Sequence, residues 1–222
     1  MKAADTLLYF LIIMPRIDDY INAKKLAVEK LVKDNFTDLI AKSRFERVKT
    51  DAKTDNFRIP FLDRVYLTGF PDFDFTDEAD ADKEVPIQEQ VIILHYLTGV
   101  SHAQLSGNRI AYREIPGASF YYSAFVKRAI DPLKKVFGTD IEKFKKAAAC
   151  LNGTVSEPGD AGFEFFVLPK APLQLILWEG DDEFPAEANI LFDELCGKIL
   201  SPEDAAWLAG MLVYRLIALS YQ

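Results

Sequence analysis

The chain has 222 residues and a formal net charge of −8 at pH 7, from 34 Asp and Glu against 26 Lys and Arg. That balance argues against a nucleic-acid groove as the main surface, because phosphate binding depends on clustered Lys and Arg, and a hydrophobic content of 50% with 17 Phe excludes a disordered chain. Two cysteines (Cys150, Cys196) and two histidines (His95, His102) exclude a disulfide framework and any iron–sulfur cluster held by this chain alone.

Leu7 to Met14 form an apolar run, LLYFLIIM, behind Lys2. A membrane-spanning helix needs about 20 such residues, and Pro15 and Arg16 follow where a signal peptide would carry a small-x-small cleavage site. Three readings stay open: a further buried strand, a helix extension packed on the domain, or translated upstream sequence with the natural start at Met14. The default expectation is a cytoplasmic protein without a membrane span, divided into an extension (1–14) and one domain (15–222).

From Pro15 to about Arg44, Ile17, Ile21, Val28, Leu31, Phe36, Leu39 and Ile40 recur at helical steps. The period then changes to two. Phe57, Ile59 and Phe61, followed by Val65 and Leu67, predict a hairpin turning near Leu62-Asp63, and Phe73 and Phe75 continue the alternation. A solvated loop from Asp77 to Glu84 precedes a helix from Pro86 to Gly99. Asn108 to Ile115 reads as a strand, and Ser119 to Phe137 as one long helix closed by Gly138. The next helix opens on Thr139 with Glu142 in a capping box and ends at Asn152-Gly153. Gly162–Leu168, Leu173–Trp178 and Asn189–Phe192 are strand-like. Ser201-Pro202-Glu203-Asp204 combines a hydroxyl cap, a first-turn proline and acids at the positive end of a helix dipole, opening a helix to nearly the last residue. Paired strands with helices between them predict an α+β domain with a mixed or antiparallel sheet, the first and last helices packed on it.

The acidity is local: residues 72–84 carry −6 and residues 177–194 carry −7, leaving +5 elsewhere. The first cluster fails the calcium-loop pattern, with Asp77 at the sixth position and Lys83 at the twelfth, and reads as a solvated loop. The second, Trp178-Glu179-Gly180-Asp181-Asp182-Glu183-Phe184-Pro185, supports two readings. Its carboxylates either converge on a cation or cationic partner, or cap local backbone donors at a structural corner.

His95 lies in the apolar stretch Ile92-Ile93-Leu94-His95-Tyr96-Leu97, where a core imidazole hydrogen-bonded to a neighbour competes with a ligand role. Arg113-Glu114-Ile115-Pro116-Gly117, followed by Phe120-Tyr121-Tyr122, offers a guanidinium for an anion and aromatics for a planar ligand. The alternative is an Arg113 ion pair at a strand end. P-loop, dinucleotide-fingerprint, nucleophile-elbow and His-Glu-x-x-His patterns do not occur.

Together, Leu94–Leu97, Arg113–Gly117, Gly159-Asp160-Ala161, Leu168-Pro169, Pro172-Leu173, Trp178–Pro185 and Leu191–Asp193 resemble domain-of-unknown-function family 3786, over about residues 16 to 220. The resemblance implies an uncharacterised domain of anaerobic bacteria and archaea. Some relatives resemble fusions with a four-cysteine iron–sulfur module, implying a link to corrinoid or one-carbon metabolism. This chain lacks any Cys-x-x-Cys. The functional expectation is a ligand- or protein-binding domain whose candidate residues are His95, Arg113, Glu114, Tyr121, Asp160, Trp178, Glu179, Asp181, Asp182 and Glu183. The alternative is an enzyme using Asp160 and the acids from Glu179 to Glu183 as acid and base, with or without a divalent cation.

Overall fold

Alternating apolar residues in the first half of the chain build an antiparallel hairpin, and an aromatic cluster fastens it to the helices. The computed structural model describes residues 17–49 and 55–221; the apolar extension over residues 1–14 lies outside them. The helical pattern read from Pro15 to about Arg44 forms two helices, α1 (Ile17–Leu31) and α2 (Phe36–Ser43). The break has a local cause: the Asn35 side chain accepts from the Asp38 amide at 3.1 Å and starts a new helix.

Strands β1 (Glu46–Lys49), β2 (Asp55–Phe61), β3 (Arg64–Gly69) and β4 (Phe75–Asp77) form one antiparallel sheet in sequence order. Phe61 pairs with Arg64 across the expected turn, where Leu62 takes φ 55°. Phe57, Ile59, Phe61 and Tyr66 point inward and are fully buried. Around Phe57 lie Phe36 at 4.7 Å and Phe73 at 6.0 Å between ring centroids. Each such buried ring contributes about 1.5–3 kcal/mol of transfer free energy. Phe73 is inward as expected, but at φ 54° in a turn before β4 rather than on a strand.

Helix α3 (Ile87–Gly99) packs against α1. The strand expected from Asn108 to Ile115 is only β5 (Arg109–Ala111). It stops because Glu114 folds back to accept from the Ala111 amide at 2.6 Å, closing a 3₁₀ turn at Tyr112–Glu114. The long helix expected next is also interrupted. A 3₁₀ turn (Ala118–Phe120), α4 (Tyr122–Phe125), a π-helical turn (Val126–Ile130) and α5 (Asp131–Phe137) share the segment. Pro132 has no N–H to return to the Arg128 carbonyl, and the Asp131 amide bonds to Val126 O, five residues back. Helix α6 (Ile141–Cys150) is capped by Asp140, which accepts from the Lys143 amide at 2.9 Å, rather than by Thr139.

The second sheet is antiparallel, in the order β5, β9 (Glu187–Asp193), β8 (Ala171–Trp178), β7 (Ala161–Leu168), β6 (Thr154–Ser156). Ala171 to Leu177 are all buried, so β8 is covered on both faces and its sequence reads as an apolar run broken by Gln174. Short helix α7 (Cys196–Ile199) leads into α8 (Pro202–Leu219), capped at Ser201 as expected. Helices α6 and α8 pack together, with α6 against β7 and α5 against β9. The molecule is therefore α+β, its two sheets and helices sharing one hydrophobic core.

Candidate functional site

The sequence candidates fall in three places. In the acidic turn, Asp160 Oδ2 accepts from the Glu179 amide at 2.8 Å. Asp181 Oδ1 accepts from the amides of Glu183 at 2.8 Å and Phe184 at 2.7 Å. The Phe184 amide, and after it that of Glu183, holds the Asp181 carboxyl below its usual range. Glu179 Oε1 lies 3.5 Å from the Ile141 amide at the start of α6. Asp182 and Glu183 are exposed, as are Trp178 and Phe184. Asp160 and Asp181 thus serve backbone amides, while Trp178 and Phe184 lie outside the core rather than closing it. Among the described residues no group of three or more His, Cys, Asp and Glu side chains is placed to hold a metal ion.

In the second place, the Arg113 guanidinium lies 3.7 Å over the Tyr122 ring, not in a strand-end ion pair. Glu114 is occupied by its backbone bond, and Tyr121 is partly exposed beside Phe120, whose surface is 94% accessible. No hydrogen bond or ion pair among the described residues joins Arg113, Glu114 or Tyr121 to the acidic turn.

His95 occupies the third place, and here the structure assembles something the sequence did not announce. A groove of about 200 Å³ opens between α1, α3 and α8, with Tyr20, Ile92, His95, Glu203, Asp204 and Trp207 among its walls. His95 Nδ1 lies 2.9 Å from Asp204 Oδ1, and the His95 side chain keeps 32% of its surface exposed. An ionised carboxylate only accepts, so Nδ1 carries the proton and Nε2 is left as the free ring nitrogen of the neutral imidazole. The Asp204 bond raises the His95 pKa above its ordinary value, against the opposing effect of burial. Asp204 is itself fixed: Ser201 Oγ donates to its Oδ2 at 2.7 Å and accepts from its amide at 3.1 Å. The serine that starts α8 therefore also aims the carboxylate at the imidazole.

Trp207 stands one turn further along α8. Tyr20 meets it edge-on with centroids 6.0 Å apart, and Arg128 from the π-helical turn lies 4.3 Å over its ring. Sequence reading placed Glu203 and Asp204 only as dipole-compensating acids at the start of the helix that also carries Trp207. The available signal was an imidazole in an apolar helix, which needs a hydrogen-bond partner.

An α+β fold with two antiparallel sheets and a helix-lined groove defines the class of domain. The family model described as Domain of unknown function (DUF3786) matches residues 41–215, and the chain belongs to that family. No curated protein and no solved structure matches the chain. No helix among the described residues is long and apolar enough to cross a membrane.

Proposed function

We propose that this is a cytoplasmic ligand-binding domain whose site is the groove between α1, α3 and α8. The observation that carries the reading is the His95–Asp204 pair, at 2.9 Å in the wall of a groove that also presents Trp207 and Tyr20. A concave, mainly apolar site with a few oriented polar groups is the usual form of a small-molecule pocket. The acidic turn supports the reading less, because Asp160 and Asp181 already serve backbone amides. The link to corrinoid or one-carbon metabolism rests on the family resemblance and on no residue of the groove.

The same pair favours a second reading, acid–base catalysis in the groove. Asp204 orients the ring and supports its protonated form, which is what a general base requires. This relocates the enzymatic alternative from the clustered carboxylates to His95.

The test is a thermal-melt screen of the full chain against a defined panel of small carboxylates, amines, sugars and nucleotides. A ligand whose stabilisation disappears in His95→Ala but survives in the double variant Asp181→Asn/Asp182→Asn supports the groove. The opposite pattern overturns it and moves the site to the acidic turn.

A further inference from the structure

The residues that line the groove set the charge of what it can hold. Asp19, Glu203 and Asp204 bring three carboxylates to its walls, and His95 is the one lining residue able to carry positive charge. Tyr20 adds an independent polar group. It lines the groove with 9% of its surface exposed, and its hydroxyl is buried with no hydrogen-bond partner among the described residues. Buried polar groups are normally hydrogen-bonded, and a phenol oxygen is satisfied by a donor or by an acceptor. With carboxylates on the same walls, a cationic N–H donor is the favoured partner.

The three carboxylates are not equivalent. Asp204 is committed to His95 through Oδ1 and to Ser201 through Oδ2. Glu203, half-buried on the first turn of α8, acts by charge on both His95 and the Tyr20 hydroxyl, so its field covers the space between them. Asp19 acts on the Tyr20 hydroxyl in the same sense. Arg128 opposes them there, but it lies over the Trp207 ring and is not a lining residue. Among the described residues no three acids or imidazoles are placed to hold a metal ion. Carboxylates dispersed along an apolar wall suit an organic cation instead.

Taking the groove as the ligand site, we propose that its ligand is a small primary amine, bound as the ammonium with an apolar tail. The ammonium donates to the Glu203 carboxylate and to the Tyr20 hydroxyl oxygen, and the tail lies along Val91, Ile92 and Met211. Three N–H donors on one compact charge let an ammonium serve both oxygens at once. The groove volume of about 200 Å³ is below the roughly 300–1,000 Å³ of sites for drug-sized molecules and suits a short chain.

The experiment is a titration of the full chain, labelled with nitrogen-15 and observed by NMR, with butylamine at pH 8 and constant ionic strength. An alkylammonium stays charged at that pH, as lysine does with its ordinary pKa of about 10.4. Butyrate, butanol and magnesium chloride are the comparison probes. The expected result is a saturable shift of the Trp207 indole N–H with butylamine alone, while the Trp178 indole stays still. Glu203→Gln should weaken butylamine binding by about tenfold or more, the equivalent of one lost charge-assisted hydrogen bond, and Tyr20→Phe by about threefold or more, that of a neutral one. Tyr20→Phe keeps the test open if Glu203→Gln fails to fold, because it removes only an unpartnered hydroxyl and should melt at or above the parent. An equal or larger Trp207 shift with butyrate, butanol or magnesium overturns the amine class and leaves the groove standing. Butylamine binding that either variant leaves unweakened overturns the contact assigned to that residue. Silence of Trp207 toward all four probes overturns the amine, while a groove-dependent hit in the melting screen would still uphold the site.

Discussion

His95 and Asp204 lie 109 residues apart in the chain and 2.9 Å apart in space, so one hydrogen bond ties α3 to the first turn of α8. Its effect on stability has a definite sign. Pairing raises the folded pKa of His95 above the ordinary 6.5. The protonated ring is therefore favoured in the native state. The stabilisation is fully present below pH 6.5 and is lost as the pH rises through the folded value. Melting curves from pH 5 to 9 should show the parent losing stability over that window and His95→Gln losing less. A bond of this kind is worth about 1 kcal/mol, or about 2–4 °C for a chain of this size. Identical pH slopes for parent and variant would show that the pair does not contribute.

Asp193 is the polar residue on which the segment before β5 depends. It is fully buried and accepts from the amides of Ser106, Gly107 and Leu195, from Ser106 Oγ, and from Arg109 at 3.0 Å. Burial works against its charge, but the amides outweigh it and hold the carboxyl below the usual range. Asp193→Ala leaves the Ser106, Gly107 and Leu195 amides without their acceptor and Arg109 with Glu164 alone, and should cost about 3–5 kcal/mol. Urea unfolding should show a lower midpoint with an unchanged slope.

Gly99 is required by a close approach. A Cβ at this position would fall 1.9 Å from the Ile199 carbonyl oxygen, a backbone atom that cannot swing away. Gly99→Ala must push α3 and α7 apart and should destabilise by about 1–3 kcal/mol or more. A variant that melts with the parent would contradict the packing of those two helices.

In the acidic turn, neighbouring carboxylates should behave differently. Asp181 serves two amides, whereas Asp182 is exposed and has no partner among the described residues. Asp181→Ala should lower the melting temperature at neutral pH, and Asp182→Ala should leave it unchanged or slightly higher by relieving repulsion. Because the folded pKa of Asp181 is lowered from 3.8, its contribution is present above that value and fades as the pH falls through the folded one. Equal melting temperatures for the two variants would remove the cap.

Much of the fold was legible because local chemistry announces it. The β2–β3 hairpin followed from alternation, and α8 from Ser201 and Pro202. What escaped were the decisions made by a single side chain against a regular period. Glu114 ends β5 by capping the Ala111 amide, Asn35 divides the first helix, and Pro132 forces the π turn. The candidate site was legible in only one residue, His95. Its partners come from α1 and α8, and no spacing in the chain signals a juxtaposition made by tertiary packing.

Strand β8 lies between β7 and β9, with every residue from Ala171 to Leu177 buried. Its partners are its sequence neighbours, so the meander closes short loops, whereas the groove must bring together helices that begin at Ile17, Ile87 and Pro202. Loop-closure entropy grows with separation, and contacts of long sequence span are costly to form. The amides of Leu173 to Leu177 should accordingly exchange with deuterium only on global unfolding, while those of α1 exchange through smaller openings. The wall of the groove would then detach while the β meander stays folded, giving a ligand a way in without unfolding the core.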